Sequence, residues 1–193
     1  MTRAEDVLDY CRGNLARGVA DAKHDWHWPT LVTATAGRVV VLRKFSAEAG
    51  SVRFYTDVRS TKVAELAASG GACAAVFYHG RHRTQLRLSG TASALRDDRA
   101  RRELFDAQHP RSLRSYATAQ APGTPLPAGG DGLTDTWRAD APTPEELEAA
   151  FAHFAVYDVA IERADFLQLG AEGQRRAQWR WGAAAESFTW VTP

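Results

Sequence analysis

The chain has 193 residues, of which 45% are hydrophobic and 24% are charged, and its formal net charge is +1. This composition is typical of a globular protein with a sizeable core. Balanced charge creates no general field to attract nucleic acid or a membrane surface, so any bound anion requires a local cluster of cations. We therefore expect neither a nucleic-acid partner nor a membrane partner.

The cysteines and the N-terminus indicate the compartment. Cys11 and Cys73 are far apart and lack the spacing of a metal site, which favours reduced thiols over a disulfide. Residues 1–14 lack the apolar run of a secretory signal, and no stretch approaches the length of a membrane span. These features predict a cytoplasmic protein.

The first half of the chain alternates between helical and strand periodicity. Residues 3–20 predict an amphipathic helix with Val7, Leu8, Cys11 and Leu15 near one face. A second helix is predicted over Arg59–Ser69. The predicted strands are Thr30–Ala36, Arg38–Phe45, Ser51–Asp57, Ala72–His79 and Arg83–Leu95. Among these, RVVVLRKF at Arg38–Phe45 is typical of a strand buried on both faces.

The second half carries the peripheral helices and the closing strands. Helices are predicted over Asp97–Gln108, Pro110–Tyr116 and Glu145–Phe154, and residues 121–144 predict a long surface excursion. The predicted closing strands are Val156–Ile161, Phe166–Leu169, Gln174–Trp181 and Phe188–Val191. About eight short strands at regular spacing favour a barrel over a sandwich.

The predicted fold class is therefore mainly β with peripheral helices (α+β). We expect a single domain over residues 1–193, with an N-terminal helix at 3–20, a barrel core at 29–95, a helical and loop excursion at 97–154 and closing strands at 155–193.

Four sequence features predict an anion site. Arg38 begins a strand, Tyr55-Thr56-Asp57 ends the next strand, Ser60-Thr61-Lys62 begins a helix, and Gln85 lies on the long strand. A helix N-terminus presents free N–H groups and a partial positive charge, which suits a phosphate dianion beside Lys62 and Arg38. A strand of apolar residues could hold a planar ring. This combination fits a flavin mononucleotide, although each cation taken alone is more simply a solvated surface charge.

The order and approximate spacing of RVVVLRKF, FYTDVRSTK and TQLRLSG resemble the pyridoxamine 5'-phosphate oxidase family over about residues 38 to 95. The TD-x-RS-x-K form and the ending W-V-T-P are more similar to related FMN-binding proteins than to the vitamin B6 oxidase itself. The resemblance implies an FMN-binding split β-barrel that acts as an oxidoreductase. It also implies a homodimer with the flavin at the subunit interface.

The resemblance also implies which residues contact the flavin. The implied contacts within the strong match are Arg38, Val39, Val41, Leu42, Arg43, Tyr55, Thr56, Ser60, Thr61, Lys62 and Gln85. Gln120 and Arg176 are implied from the second subunit, with Arg175 and Arg180 as competing registers. Thr61 stands where the family has an arginine, and Arg59 is a candidate to restore that charge.

The substrate side departs from the family pattern. The resemblance assigns substrate contacts to His109 and Gln174, where the family carries arginine and histidine, and places Phe105 and Glu172 where it has tyrosine and arginine. Losing several phosphate-binding groups argues against tight binding of a B6 phosphate ester. The substrate and the electron acceptor are not determined by the sequence, nor is the role of the 121–144 loop.

Alternative functions remain open at this stage. The same fold could serve as a non-catalytic flavin-binding module, or could bind deazaflavin F420 or haem. The segment His24–Trp28 lacks a supporting third ligand at defined spacing, so aromatic packing is favoured over a metal site. No catalytic side chain is assigned.

Overall fold

The computed structural model describes residues 1–126, 128–171, 173–183 and 187–193. The strands are β1 (Thr30–Val32), β2 (Gly37–Val39), β3 (Lys44–Ser46), β4 (Ser51–Asp57), β5 (Ala72–His79), β6 (Thr84–Ala94), β7 (Phe154–Gln168), β8 (Arg175–Arg180) and β9 (Thr189–Val191). They form one mostly antiparallel sheet in the order β2-β1-β5-β6-β7-β4-β3, while β8 pairs with β7 and β9 pairs with β8. This open sheet is consistent with the predicted split barrel.

One helix precedes the first strand, and the others lie in connections between strands. They are α1 (Ala4–Ala20), α2 (Thr61–Ala68), α3 (Asp98–Asp106), α4 (Pro110–Leu113), α5 (Asp135–Arg138) and α6 (Pro144–His153), with 3₁₀ turns at Asp25–His27, Arg114–Tyr116 and Trp181–Ala183. The predicted mainly β fold with peripheral helices is confirmed. Within the described ranges, no helix has the length and apolar character needed to cross a membrane.

The chain folds into two compact units. The first contains residues 1–54, 65–93 and 158–193, and the second contains residues 55–64 and 94–157. Each unit combines segments that are distant in sequence, so neither corresponds to a continuous part of the chain. The expectation of a single domain remains a prediction.

The core of the first unit follows the predicted periodicities. Val7, Cys11 and Leu15 of α1 are fully buried, which confirms the predicted apolar face of this helix. On β6, Leu86 and Leu88 point into the core, whereas Arg87 and Ser89 are exposed. The alternation leaves one face of the sheet open, because successive side chains of a strand point to opposite faces.

The prediction for Arg38–Phe45 was wrong. The segment divides into β2 and β3, only Leu42 is buried, and Val39 is 62% exposed. Backbone N–H groups of Val40 and Leu42 bond the chain before β1, whereas the Arg43 N–H bonds Arg53 of β4. The segment therefore changes its pairing partner midway. Strand β2 lies at an edge of the sheet, where β-branched side chains can remain exposed to solvent.

The prediction of separate strands at Val156–Ile161 and Phe166–Leu169 was also wrong, because β7 runs unbroken through both. The polar interruption lies on the open face: Arg163 pairs with Arg180 of β8, and Asp165 pairs with Gln178. Charged residues can therefore continue a strand where alternate positions face solvent.

The second unit has its own aromatic core. The buried cluster comprises Phe105, Leu113, Tyr116, Trp137, Ala150, Phe154 and Val156. Thr143 begins α6 with a reciprocal capping box to Glu146. The predicted surface excursion at 121–144 is largely exposed in its first part, but it returns Trp137 to the core. Arg114 bonds the Trp137 carbonyl oxygen at 3.0 Å and so fixes that return.

Candidate functional site

A cation and two hydroxyls meet at the start of α2. Lys62 Nζ donates to Thr56 Oγ1 at 3.0 Å and to Ser60 Oγ at 3.0 Å, and the two hydroxyl oxygens are 3.3 Å apart. Thr56 and Ser60 are only 4% and 6% exposed. We call Thr56, Ser60 and Lys62 the Lys62 cluster. All three donors suit an oxyanion.

The local chain geometry creates the Lys62 cluster. Strand β4 ends at Asp57, and the Ser60 N–H bonds the Asp57 carbonyl oxygen at 3.1 Å, which closes a tight turn. The Val63 N–H then bonds the Ser60 carbonyl oxygen at 3.0 Å as α2 begins. The first N–H groups of a helix have no intrahelical acceptor, so they add positive potential at the same place.

The charge of Arg59 is neutralised within this turn. Its guanidinium donates to both Asp57 oxygens, at 3.0 Å from Nε to Oδ1 and 2.7 Å from Nη2 to Oδ2. Nη2 also donates to the Thr118 carbonyl oxygen at 3.0 Å. The Asp57 hydrogen bond raises the pKa of Arg59. Arg59 therefore anchors the turn through Asp57 and Thr118. Because its charge is already paired, Arg59 does not supply an uncompensated arginine charge beside Thr61, whose side chain is exposed.

Arg38 belongs to the first unit and already has an acidic partner. Its Nη2 donates to Glu65 Oε2 at 2.6 Å and its Nη1 donates to Thr33 Oγ1 at 2.7 Å. Thr33 also donates to the same Glu65 oxygen. These hydrogen bonds, from Thr33 and then from Arg38, lower the pKa of the Glu65 carboxyl. A phosphate at Arg38 would have to share the guanidinium with this carboxylate.

The remaining predicted contacts in the first unit lie in different environments. Val39 is exposed, Val41 and Arg43 are half-buried, and Leu42 is part of the core at 2% exposure. Gln85 is half-buried on β6, directly opposite Tyr78 of β5. The sheet therefore exposes Val39 for an apolar contact and holds Gln85 at a fixed register.

Tyr55 and Gln120 belong to the second unit. Tyr55 packs edge-on against Phe154, with ring centroids 4.9 Å apart. Gln120 is exposed in the loop after Tyr116, and its carbonyl oxygen accepts from Thr118 at 2.9 Å. Tyr55 thus has a packed aromatic neighbour, while the Gln120 side chain faces solvent.

The C-terminal arginines are distinguished by their partners. Arg176 donates to Asp165 through Nε at 3.0 Å and Nη2 at 2.7 Å. Arg175 and Arg180 are exposed on the same strand, and neither side chain bonds an acid among the described residues. Which of the three arginines contacts a flavin remains a prediction.

The predicted substrate contacts are exposed. His109 caps α4 by accepting from the Arg111 N–H at 3.2 Å, and Gln174 is exposed before β8. Phe105 is buried in the aromatic core of the second unit at 1% exposure. Glu172 lies outside the described residues.

An open-face groove of about 840 Å³ was not predicted from the sequence. Its polar lining includes Arg87, Arg163, Asp165, Gln178 and Arg180, and all of its described lining residues belong to the first unit. The available signal was the alternation of charged residues along three strands. The predicted break in β7, the middle of these three strands, conceals that alternation.

Comparison with known proteins identifies the segment that carries the Lys62 cluster. Residues 20–96 match the family model described as pyridoxamine 5'-phosphate oxidase, FMN-binding domain. The match includes the predicted contacts from Arg38 to Gln85, while Gln120 and Arg176 lie beyond it. The resemblance inferred from the sequence motifs is thereby confirmed.

Solved structures of family-related proteins share the fold. A pyridoxamine 5'-phosphate oxidase-related, FMN-binding protein from Nostoc punctiforme is 21% identical with a TM-score of 0.72, covering 94% of this chain and 97% of its own. PhzG from Burkholderia lata, in complex with tetrahydrophenazine-1-carboxylic acid, is 20% identical with a TM-score of 0.69, covering 100% and 97%.

A more distant structure extends this comparison. A protein of the pyridoxinephosphate oxidase family from Clostridium acetobutylicum, related to general stress protein 26, is 10% identical with a TM-score of 0.55, covering 94% of this chain and 99% of its own. No curated protein gives a significant sequence match.

Proposed function

We propose that this chain binds FMN, with the phosphate at the Lys62 cluster. The observation that carries the proposal is the convergence of Lys62 Nζ with the buried Thr56 and Ser60 hydroxyls at the start of α2. This donor set fits a phosphate, because two hydroxyls and an ammonium can each donate to its oxygens. The match of residues 20–96 to an FMN-binding domain supports the same assignment.

The other predicted contacts have supporting roles in this proposal. Arg38, Val39, Val41 and Gln85, all in the first unit, remain flavin contacts that the family resemblance implies. Gln120 and Arg176 would contact the flavin from a second subunit of a homodimer. These roles extend the family resemblance residue by residue.

We further propose that the chain is an FMN-dependent oxidoreductase. When bound, FMN supplies the hydride or electron transfer, and the protein supplies orientation and electrostatics. The fold shared with PhzG, whose structure contains a partly reduced tricyclic carboxylic acid, makes reduced planar acids the first substrates to examine. The exposed His109 and Gln174 and the core position of Phe105 argue against a gripped B6 phosphate ester.

A flavin-binding protein without turnover is the second candidate. The specific observation is that Phe105, in the place of a phosphate-gripping tyrosine, is directed into the aromatic core of the second unit. If the groups that hold a substrate are absent, FMN binding alone remains. Turnover with reduced planar acids, amines or NAD(P)H separates the two candidates.

The test of the cofactor uses the full chain and two ligands. We expect the purified protein to be yellow, and Lys62→Met to weaken FMN binding by about tenfold to a hundredfold, since a charge-assisted hydrogen bond contributes about 1.5–3 kcal/mol. Riboflavin lacks the phosphate, so its affinity should not change. The matched control is Lys23→Met, because Lys23 is exposed in a loop of the first unit.

Three results would overturn the cofactor assignment. A protein without flavin absorbance that gains no thermal stability from FMN does not bind it. A haem or F420 spectrum identifies a different cofactor. Equal losses of FMN affinity in Lys62→Met and Lys23→Met place the phosphate elsewhere. Light scattering of the flavin-loaded protein tests the proposed homodimer.

A further inference from the structure

Three of the six histidines meet in the first unit, where α1 and the 3₁₀ turn at Asp25–His27 lie beside the hairpin between β5 and β6. The ring of His79 is stacked on that of His82, with centroids 4.1 Å apart and an interplanar angle of 13°. The rings of His79 and His24 are perpendicular, with centroids 5.4 Å apart. We call His24, His79 and His82 the histidine cluster. None of the three is among the predicted flavin or substrate contacts, so the cluster has no part in the proposed function.

The hydrogen bonds of His24 require a neutral ring. Its Nδ1 accepts from the Trp26 N–H at 3.1 Å, and its Nε2 lies 3.1 Å from Asn14 Oδ1. Because Asn14 Nδ2 donates to the Tyr10 carbonyl oxygen at 2.8 Å, the Asn14 oxygen faces the ring and His24 carries its proton on Nε2. A second proton could be added only at Nδ1, where it would meet the Trp26 N–H. Protonation of His24, which is 6% exposed, would therefore break the hydrogen bond that caps the 3₁₀ turn.

The other two histidines attach the tip of the hairpin, residues 79–83, to its neighbours. His79 Nδ1 lies 3.3 Å from Asp25 Oδ2, which also accepts from the Gly80 N–H at 2.7 Å. His82 Nδ1 lies 3.0 Å from the Tyr10 hydroxyl of α1. The hairpin tip therefore contacts the 3₁₀ turn through Asp25 and α1 through Tyr10.

The surroundings of the cluster oppose its protonation. Besides its own members, the charged and titratable groups that face it are Tyr10, Arg17, Asp21, Asp25 and Arg81. Burial is the largest cause that lowers the pKa of both His24 and His79. At His24 the charge of Arg17 adds to this effect. At His79 the charge of His82 does so, and Asp25 only partly offsets it.

Acid therefore acts on the contact between the hairpin and its neighbours. Because the pKa values of His24 and His79 in the folded chain lie below 6.5, the closed cluster is most stable above pH 6.5 and loses stability as the pH falls further. An opened tip would hydrate the rings, which removes the cost of charging them. Backbone strain favours the same movement, since Arg83 has a φ of +50°, which is uncommon for a residue other than glycine.

We propose that the histidine cluster is an acid-sensitive clasp, which holds the hairpin tip against α1 and the 3₁₀ turn while its rings are neutral and releases the tip when they are protonated. The rest of the hairpin stays in place, because the antiparallel ladder continues between residues 72–78 and 85–91 and both Leu86 and Leu88 are fully buried. The clasp uses no cofactor, so it is independent of the FMN proposal.

Amide hydrogen exchange of the full chain, followed by NMR at pH 7.5, 6.5 and 5, tests the clasp. The reporters are the Trp26 amide, which bonds the His24 ring, and the Gly80 amide, which bonds Asp25. After correction for the intrinsic effect of pH, we expect both amides to exchange about tenfold faster at pH 5 than at pH 7.5, which is about 1.4 kcal/mol in the free energy of opening. The amides of residues 86–88 in the core strand should show no comparable change.

Replacing both buried rings should remove the acid response. In the double variant His24→Gln/His79→Gln, the corrected exchange rates of Trp26 and Gly80 should not depend on pH. The matched control is His109→Gln, which should retain the response, since His109 is exposed in the second unit. A second measurement needs no variant: in the parent chain, the imidazole resonances of His24 and His79 should titrate below pH 6.5.

Three results would overturn the clasp. Imidazole resonances of His24 and His79 that titrate at or above pH 6.5 would show that protonating the closed cluster has no cost. Faster exchange that extends equally to the amides of residues 86–88 would indicate unfolding of the whole unit instead of release of the tip. An acid response that persists in the double variant, or that disappears in His109→Gln as well, would assign the response to other groups.

Discussion

Replacing Asp165 by asparagine tests the charge network on the open face. The carboxylate is 13% exposed and is shared by Arg87, Arg176 and Gln178. The pKa of Asp165 is lowered from 3.8 to about 2, which at about 1.4 kcal/mol per pKa unit corresponds to about 2 kcal/mol of folding free energy. Because the folded pKa is depressed, this stability is present above pH 3.8 and is lost as the pH falls through about 2.

The assay compares urea unfolding of the parent chain and Asp165→Asn at pH 6 and pH 3, followed by tryptophan fluorescence. We expect the variant to be less stable by about 2 kcal/mol at pH 6, with about half of that difference remaining at pH 3. Asp9→Asn, an exposed position on α1, should show a small difference at both values. A difference below about 0.5 kcal/mol at pH 6, or one independent of pH, would refute the network as a source of stability.

Three further perturbations test other parts of the structure. Gly90→Ala should destabilise the chain by more than about 3 kcal/mol in urea unfolding, because an added Cβ would lie 1.9 Å from the Ala160 carbonyl oxygen. The control Gly13→Ala, where an added Cβ has no neighbour within 4 Å, should stabilise the chain by about 0.5–1 kcal/mol. Burial, and next the charge of His82, lower the pKa of His79 from 6.5. The free energy of unfolding should therefore decrease as the pH falls below 6.5, because the unfolded chain binds the proton more readily than the folded chain. His79→Gln should make the free energy of unfolding less dependent on pH in that range. Burial raises the pKa of Cys73 to about 11, so iodoacetamide at pH 7.5 should label it in urea but not in the native protein.

Much of the Lys62 cluster could be predicted because its parts are close in sequence. Thr56, Ser60 and Lys62 lie within one strand end and one helix start, and their hydrogen bonds span six residues or fewer. Such geometry follows from local backbone preferences at a turn and a helix N-terminus. The family match then supports FMN as the ligand for the same segment.

The neighbours of Arg38 could not be predicted in the same way. Its carboxylate partner Glu65 lies 27 residues along the chain, on a helix whose orientation depends on which face packs into the core. Likewise, the sequence predicts two strands where β7 is continuous, because periodicity alone does not reveal that alternate positions of its charged stretch face an open groove.

The sequence by itself determined the nature of most helices and strands and the position of the proposed phosphate site. These depend on interactions between near neighbours: alternation with a period of two, helical spacing and the turn at Asp57–Ser60. Only the tertiary structure placed Arg163 directly opposite Arg180 and gave Asp165 its two arginines. That pairing depends on strand register, which is set by burial of one whole face of the sheet against the core rather than by any local motif.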